Sequence, residues 1–129
     1  MADKELVKKW LIKADEDFDF ASLALAEELK YFPQICWHFQ QSAEKYLKAF
    51  IMAFDLEFKK IHDLSALLTT CAAQDDRFKA LEEECKYLQK FYVETRYPVV
   101  WETKHSITDA RKAKLAAEKI AKLTKEILV

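Results

Sequence analysis

The chain has 129 residues, of which 51% are hydrophobic and 33% are charged. The length is that of one domain over residues 1–129, and the apolar fraction excludes an intrinsically disordered chain. The formal net charge of -1 leaves no global electrostatic field that would draw the protein to nucleic acid or to an anionic membrane.

Apolar residues recur every three or four positions in the first half of the chain, which is the period of an amphipathic helix. The first such stripe predicts a helix from Lys4 to Leu29. Pro33 suits the first turn of a second helix, where its missing N–H costs no hydrogen bond. The apolar stripe of that helix, from Ile35 to Phe54, covers nearly half of its circumference, so we expect it to be the central helix.

Aspartates mark the starts of the next two helices. Asp63 is a suitable N-cap for a short third helix that extends to Cys71. Either Asp75 or Asp76 can cap a fourth helix, whose stripe alternates three and four residues as far as Thr95.

The fourth helix is expected to end near Tyr97, because Pro98 disfavours helical backbone at the residue before it. Thr108 is predicted to cap a fifth helix, with Asp109 in the first turn, where the helix dipole favours a carboxylate. Strand-like alternation is missing. These patterns together predict an all-α, up-and-down bundle of four to five antiparallel helices.

Several residue types needed for common sites are missing. The chain has no glycine and no asparagine, which excludes a P-loop and a dinucleotide-binding turn, so side chains and helix termini would have to hold any nucleotide. Cys36, Cys71 and Cys85 fall on apolar stripes, and no paired metal-ligand spacing occurs, so we expect core cysteines, no metal and no cofactor. The sequence has no secretory leader pattern and no apolar run of membrane length, which predicts a cytoplasmic protein without membrane contact.

Three short motifs occur in order along the chain. A Gln-x-Ala-Glu-Lys helix lies within residues 38–48, Ile-His-Asp-Leu occupies residues 61–64, and Thr-Arg-Tyr-Pro occupies residues 95–98. In order and spacing these motifs resemble the small prokaryotic proteins of the HEPN family, and the resemblance covers nearly the whole chain. It implies a helical bundle, commonly a homodimer, and in many members a small nucleotidyltransferase as partner, in some as a toxin–antitoxin pair.

The resemblance implies two activities. Some HEPN proteins are described as nucleotide-binding, and we expect this chain to be a nucleotide-binding or interaction module, with ATP or a similar nucleotide as ligand. Others are metal-independent RNases with an arginine followed, after four to six residues, by a histidine. Here eight residues separate Arg96 from His105, and Pro98 interrupts the helix between them. We therefore favour a non-catalytic protein, with an RNase using Arg96 and His105, or a ligand-free structural dimer, as alternatives.

Arg96 and Tyr97 are the first candidate nucleotide-binding residues, because a guanidinium can hold a phosphate with two N–H groups while the tyrosine stacks on a base. The structural alternative is a cation that caps the end of a helix. His38, Gln41, Lys45 and Lys48 lie three or four residues apart and therefore share one face of the second helix. They are predicted to line a cleft that binds an anion, or alternatively to form a solvated helix edge or part of a dimer contact.

Two further aromatic residues stand out. Trp37 falls on the polar side of the second helix, where a large aromatic side chain often marks an interface or a ligand platform. The alternative is that another helix covers this side. His62 precedes the Asp63 cap, and we expect it to fill the loop there rather than to form a functional pair with Asp63. His105 is a candidate general base in the RNase alternative.

Overall fold

The computed structural model of the protein describes residues 3–57, 61–96 and 105–129, and for residues 93–96 only the helical backbone. The described residues contain no strand and form five α-helices, which confirms the predicted all-α bundle. The helices are α1 (Lys4–Ala26), α2 (Phe32–Ala53), α3 (Leu64–Gln74), α4 (Glu82–Arg96) and α5 (Ile107–Leu128), with a 3₁₀ helix (Asp76–Leu81) that leads into α4.

Helix α2 is the centre of the bundle, as predicted. It packs against all four other α-helices, and Phe39, Tyr46 and Phe50 are almost completely buried along it. Each large apolar side chain buried in this way stabilises the fold by roughly 1.5–3 kcal/mol. Pro33 lies in the first turn of α2, as its fixed φ favours.

The start of α3 confirms one predicted cap. The Asp63 carboxylate accepts hydrogen bonds from the backbone N–H groups of Ser65, at 3.0 Å, and Ala66, at 3.2 Å. Asp75, one of the two predicted caps of the fourth helix, instead caps the 3₁₀ helix by accepting from the N–H of Arg77 at 3.0 Å.

The predicted cap of α5 is wrong. Ser106, not Thr108, is the N-cap residue, and α5 begins at Ile107. The hydroxyl of Ser106 accepts from the N–H of Asp109 at 3.3 Å, and the Asp109 carboxylate accepts from the N–H of Ser106 at 2.9 Å. Ser106 stands three residues before Asp109, which is the spacing that this reciprocal capping box requires, whereas Thr108 stands next to Asp109.

Helix α1 ends at Ala26, three residues before the predicted Leu29. Glu28 takes a left-handed conformation with φ of 54°, and the N–H of Leu29 then donates to the carbonyl of Ala24 at 3.1 Å. This is a Schellman motif, in which the left-handed position is usually occupied by glycine.

Helix α2 ends in the same way. Asp55 has φ of 52°, and the N–H of Leu56 donates to the carbonyl of Ile51 at 3.0 Å. A chain without glycine therefore places two acidic residues in a conformation that is costly for any side chain with a Cβ atom.

The cysteines belong to the core, as predicted. Cys36, Cys71 and Cys85 are buried and form no disulfide. Burial raises the pKa of the Cys71 thiol and that of the Cys85 thiol to about 12, so neither is a nucleophile near neutral pH. Within the described ranges, no helix is both long enough and apolar enough to cross a membrane.

Candidate functional site

A buried ion pair lies on the central helix. One carboxylate oxygen of Glu44 accepts a hydrogen bond from the Lys48 ammonium at 3.1 Å, and only 4% of the Glu44 side chain is exposed. The Lys48 ammonium also lies 5.8 Å from the centre of the Trp10 ring of α1. Because removing charges from water is costly, such a pair persists only when its remaining hydrogen-bonding atoms also find partners.

His62 is the second partner of the buried carboxylate. Its Nδ1 lies 2.9 Å from the other oxygen of Glu44, and half of the His62 side chain, 50%, is exposed. Since a carboxylate only accepts hydrogen bonds, Nδ1 carries the proton and donates it, and in the neutral ring Nε2 is then the acceptor. Glu44 therefore determines both the orientation of the imidazole and its tautomer.

The ring of His62 is stacked on Tyr92 of α4. The two ring centres are 4.9 Å apart and the planes differ by 18°. The segment that carries His62 is held in place by a further bond, because the side-chain oxygen of Gln89 accepts from the N–H of Leu64 at 2.7 Å. Gln89 precedes Tyr92 by about one helical turn, so the start of α3 is attached to α4 at two successive turns.

His105, the other candidate histidine, also packs against α4. Its ring contacts Phe91 edge-to-face, with the ring centres 5.2 Å apart. Phe91 and Tyr92 are consecutive residues, so the structure brings two histidines from distant parts of the sequence to the same turn of one helix. Arg96 is the last residue of that helix.

The remaining part of the predicted motif lies outside the described residues. The backbone of Arg96 belongs to α4, about one turn after Tyr92, but its side chain and the whole of Tyr97 are not described. The nucleotide-binding roles of Arg96 and Tyr97, and the pairing of Arg96 with His105, stay predictions.

A second polar group joins α1 to α2. The carboxylate of Asp17 accepts from the ammonium of Lys45 and lies 3.2 Å from Nδ1 of His38. Burial of Asp17 raises its pKa, but the hydrogen bonds and charges of His38 and Lys45 outweigh burial, so that the pKa lies below its usual value of 3.8. Lys45 and His38 are thus both engaged by one carboxylate.

The predicted row on α2 is therefore divided between partners. His38 and Lys45 contact Asp17, Lys48 pairs with Glu44, and Gln41 donates to its neighbour Gln40 at 2.7 Å. The alternative of a solvated helix edge is wrong for Gln41 and Lys48, which are buried because other helices cover this side of α2. A nucleotide-binding role for these four residues stays a prediction.

Trp37, the predicted interface residue, is partly buried, and its ring contacts His38 edge-to-face at 5.0 Å. Phe20 of α1 contacts the same imidazole at 4.8 Å, and more than half of the Phe20 side chain is exposed. These rings form an aromatic group on the surface of α1 and α2, and the interface role of Trp37 stays a prediction.

Sequence reasoning missed two site residues: Glu44, which is the carboxylate partner of His62, and Tyr92. The spacing of Glu44 and Lys48, four residues apart on one helix, indicated their ion pair. By contrast, no local pattern indicated that His62 would reach Glu44, because the two residues belong to different elements. Within the described ranges, no group of three or more His, Cys, Asp or Glu residues is arranged to hold a metal ion.

The helical bundle agrees with the comparisons. The family model described as HEPN domain matches residues 7–128, so the chain belongs to the HEPN family. Members of this family often dimerise. None of the curated proteins matches the chain.

Two solved structures are similar to this protein. The crystal structure of TT1696 from Thermus thermophilus has a TM-score of 0.83 and 27% sequence identity, and the match covers 93% of this chain and 96% of that one. The crystal structure of ST0689, described as an archaeal HEPN homologue, has a TM-score of 0.76 and 27% identity, with coverage of 95% and 98%.

Proposed function

We propose that this HEPN protein is a non-catalytic, nucleotide-binding module that forms a homodimer and acts with a nucleotidyltransferase partner. The observation that carries the nucleotide part is the stacking of His62 on Tyr92. Tyr92 belongs to the helix that ends at Arg96, and His62 is bonded to Glu44 of the central helix. Flat aromatic surfaces bind bases, and a guanidinium binds phosphate, so both chemical groups of a nucleotide have a matching residue type there.

Charge supports Arg96 as the principal phosphate-binding residue. Lys48 is neutralised by Glu44 and Lys45 by Asp17, so neither pair offers net positive charge to an anion. A phosphate that contacted either lysine would first have to displace a carboxylate. The proposal therefore assigns the phosphate contact to Arg96, because a planar guanidinium donates two parallel N–H groups to phosphate oxygens.

To test the nucleotide part, three proteins are titrated with ATP in a calorimeter: the wild type, Arg96→Ala and Arg111→Ala. Arg111 is an exposed residue of α5 that lies beside the end of α1, so its substitution makes the same change in charge at a different place. Arg96→Ala is expected to weaken binding about tenfold, which corresponds to about 1.4 kcal/mol, while Arg111→Ala binds as the wild type does. Wild-type protein that takes up no ATP at millimolar concentration would overturn the nucleotide part of the proposal.

The partner is tested separately. The tagged protein is purified from its native cells, with and without chemical crosslinking, and bound proteins are identified by mass spectrometry. A nucleotidyltransferase is expected among them, and the toxin–antitoxin version further expects slower growth on expression of this chain alone, relieved by co-expression of that partner. The absence of any nucleotidyltransferase under both conditions contradicts the partner assignment.

An RNase is the second candidate function. His105 packs on Phe91, beside the turn of Tyr92, near the end of the helix that carries Arg96. In this alternative His105 takes the proton from a ribose 2′-hydroxyl while Arg96 stabilises the charge on the phosphate. It expects RNA cleavage in the presence of EDTA that His105→Ala abolishes, and equal cleavage by that variant rules out His105. If the protein binds neither nucleotide nor RNA, the ligand-free structural dimer is the remaining alternative.

A further inference from the structure

We infer that His62 is the base-binding residue of the nucleotide site, with the nucleobase stacked on the outer face of the imidazole, so that Tyr92, His62 and the base form one column. This inference rests on the proposed nucleotide binding. It goes beyond that proposal in two respects: it names a residue to which the sequence analysis gave no binding role, and it names the part of the ligand that this residue contacts.

The exposure of His62 supports the assignment. Tyr92 lies almost parallel to the imidazole and covers one of its faces, yet half of the His62 side chain remains exposed. The inference assigns this exposed surface to the face opposite Tyr92. A planar ligand can therefore extend the stack without displacing a protein group.

The position of His62 is fixed before any ligand arrives. Its Nδ1 is bonded to Glu44 at 2.9 Å, its ring rests on Tyr92, and the next helix is attached to Gln89 through Leu64. A preorganised ring loses little conformational entropy when a ligand binds. Glu44, which also pairs with Lys48, thus holds a half-exposed imidazole in one orientation, as a ring that binds a planar ligand requires.

The charged groups beside His62 favour binding of a base over binding of a phosphate at its ring. The group beside His62 is the Glu44 carboxylate, whose charge Lys48 balances, and a phosphate gains nothing from a neutral pair. Stacking needs only the π-face of a base. Arg96 follows Tyr92 by four residues, a rise of about 6 Å along the helix, which is comparable to the span of the ribose between a base and its phosphate.

The experiment compares His62→Ala with His62→Phe by calorimetric titration with ATP. Alanine removes the stacking surface and is expected to weaken binding about tenfold, within the range measured for stacking of one base. Phenylalanine keeps a flat ring but loses the bond to Glu44, so it is expected to bind more weakly than the wild type and more tightly than His62→Ala. Tyr31→Ala is the matched control, because it also removes an exposed aromatic ring but at the start of α2. Circular dichroism confirms that each variant is folded.

Titration with inorganic tripolyphosphate, which has no base, separates stacking from phosphate contact. Its affinity is expected to be unchanged in His62→Ala and reduced in Arg96→Ala. Equal ATP affinity of wild type and His62→Ala overturns the inference and leaves the proposed nucleotide site intact, provided that Arg96→Ala still weakens binding. Equal weakening by alanine and phenylalanine, or parallel loss of ATP and tripolyphosphate binding in His62→Ala, also overturns it. Absence of ATP binding by the wild type overturns the proposed function and the inference together.

Discussion

The buried carboxylate of Glu44 accepts a hydrogen bond from His62 at 2.9 Å and joins the central helix to the segment that precedes α3. The same carboxylate neutralises Lys48, so one acidic side chain supports both a buried cation and an exposed imidazole. Glu44 therefore stabilises the fold through Lys48 and also positions the imidazole that we propose to bind a base.

Removal of Glu44 is expected to destabilise the protein strongly. In Glu44→Ala, Lys48 remains buried without its carboxylate, which costs about 3–5 kcal/mol of unfolding free energy. Urea denaturation at neutral pH measures the loss. Glu83→Ala, an exposed glutamate of α4, is the control and is expected to stay within about 0.5 kcal/mol of the wild type. Similar stabilities for the two variants would show that the ion pair contributes little to the fold.

A glycine at the end of α1 is expected to stabilise the protein. Glu28 has φ of 54°, a conformation that costs a residue with a Cβ atom about 1 kcal/mol more than glycine. Glu28→Gly should therefore raise the free energy of unfolding by up to about 1 kcal/mol, as measured by urea denaturation. Glu27, with φ of -78°, is the matched control, because glycine there relieves no strain. A gain in Glu27→Gly equal to that in Glu28→Gly would contradict the explanation.

Ser106→Ala is expected to cost about 1 kcal/mol of stability, because the hydroxyl that accepts the N–H of Asp109 is lost. Thr108→Ala, at an exposed site two residues later, should change stability by at most about 0.5 kcal/mol. Thermal denaturation of the two variants distinguishes the observed cap from the one that the sequence predicted. A larger loss in Thr108→Ala would favour the predicted cap.

The ion pairs of Asp17 predict a pH dependence. The folded protein lowers the pKa of this carboxyl below 3.8, because the bonds from His38 and Lys45 outweigh its burial. A group with a lowered folded pKa contributes stability that is complete above 3.8 and is lost as the pH falls through the folded pKa. The difference in unfolding free energy between wild type and Asp17→Asn should therefore be constant near neutral pH and shrink in acid below 3.8. A difference that is independent of pH down to full protonation would contradict this assignment.

Association is expected to depend on Trp37. The wild-type protein should sediment as a dimer at micromolar concentration, and Trp37→Ala should shift the equilibrium towards monomer by about 2 kcal/mol or more if the indole is a central contact. Analytical ultracentrifugation measures both. Leu115→Ala removes an exposed apolar side chain from α5 and serves as the control. A wild-type monomer at that concentration would contradict the homodimer, and unchanged association of Trp37→Ala would place the interface elsewhere.

The sequence by itself determined the helical class, the central position of α2 and the cap at Asp63. Each of these depends on local information, since apolar periodicity and a capping side chain act within a few residues along the chain. The errors at the ends of helices were also local. Ser106 and Thr108 are both good capping residues, and only the reciprocal bond with Asp109 distinguishes the two. At the end of α1, the left-handed position is occupied by Glu28, a residue type that does not indicate this conformation.

Only the tertiary structure decided which polar groups meet. The sequence placed Lys45 and Lys48 on one helical face, but the fold pairs Lys45 with Asp17 of α1 and Lys48 with Glu44 of its own helix. His62 lies in a loop, as the sequence predicted, but only the fold shows that its ring stacks on Tyr92 of α4. The physical reason is that a helical period reports which side of a helix faces the core, whereas the partner of a buried charge is set by whichever neighbouring helix packs there and excludes water.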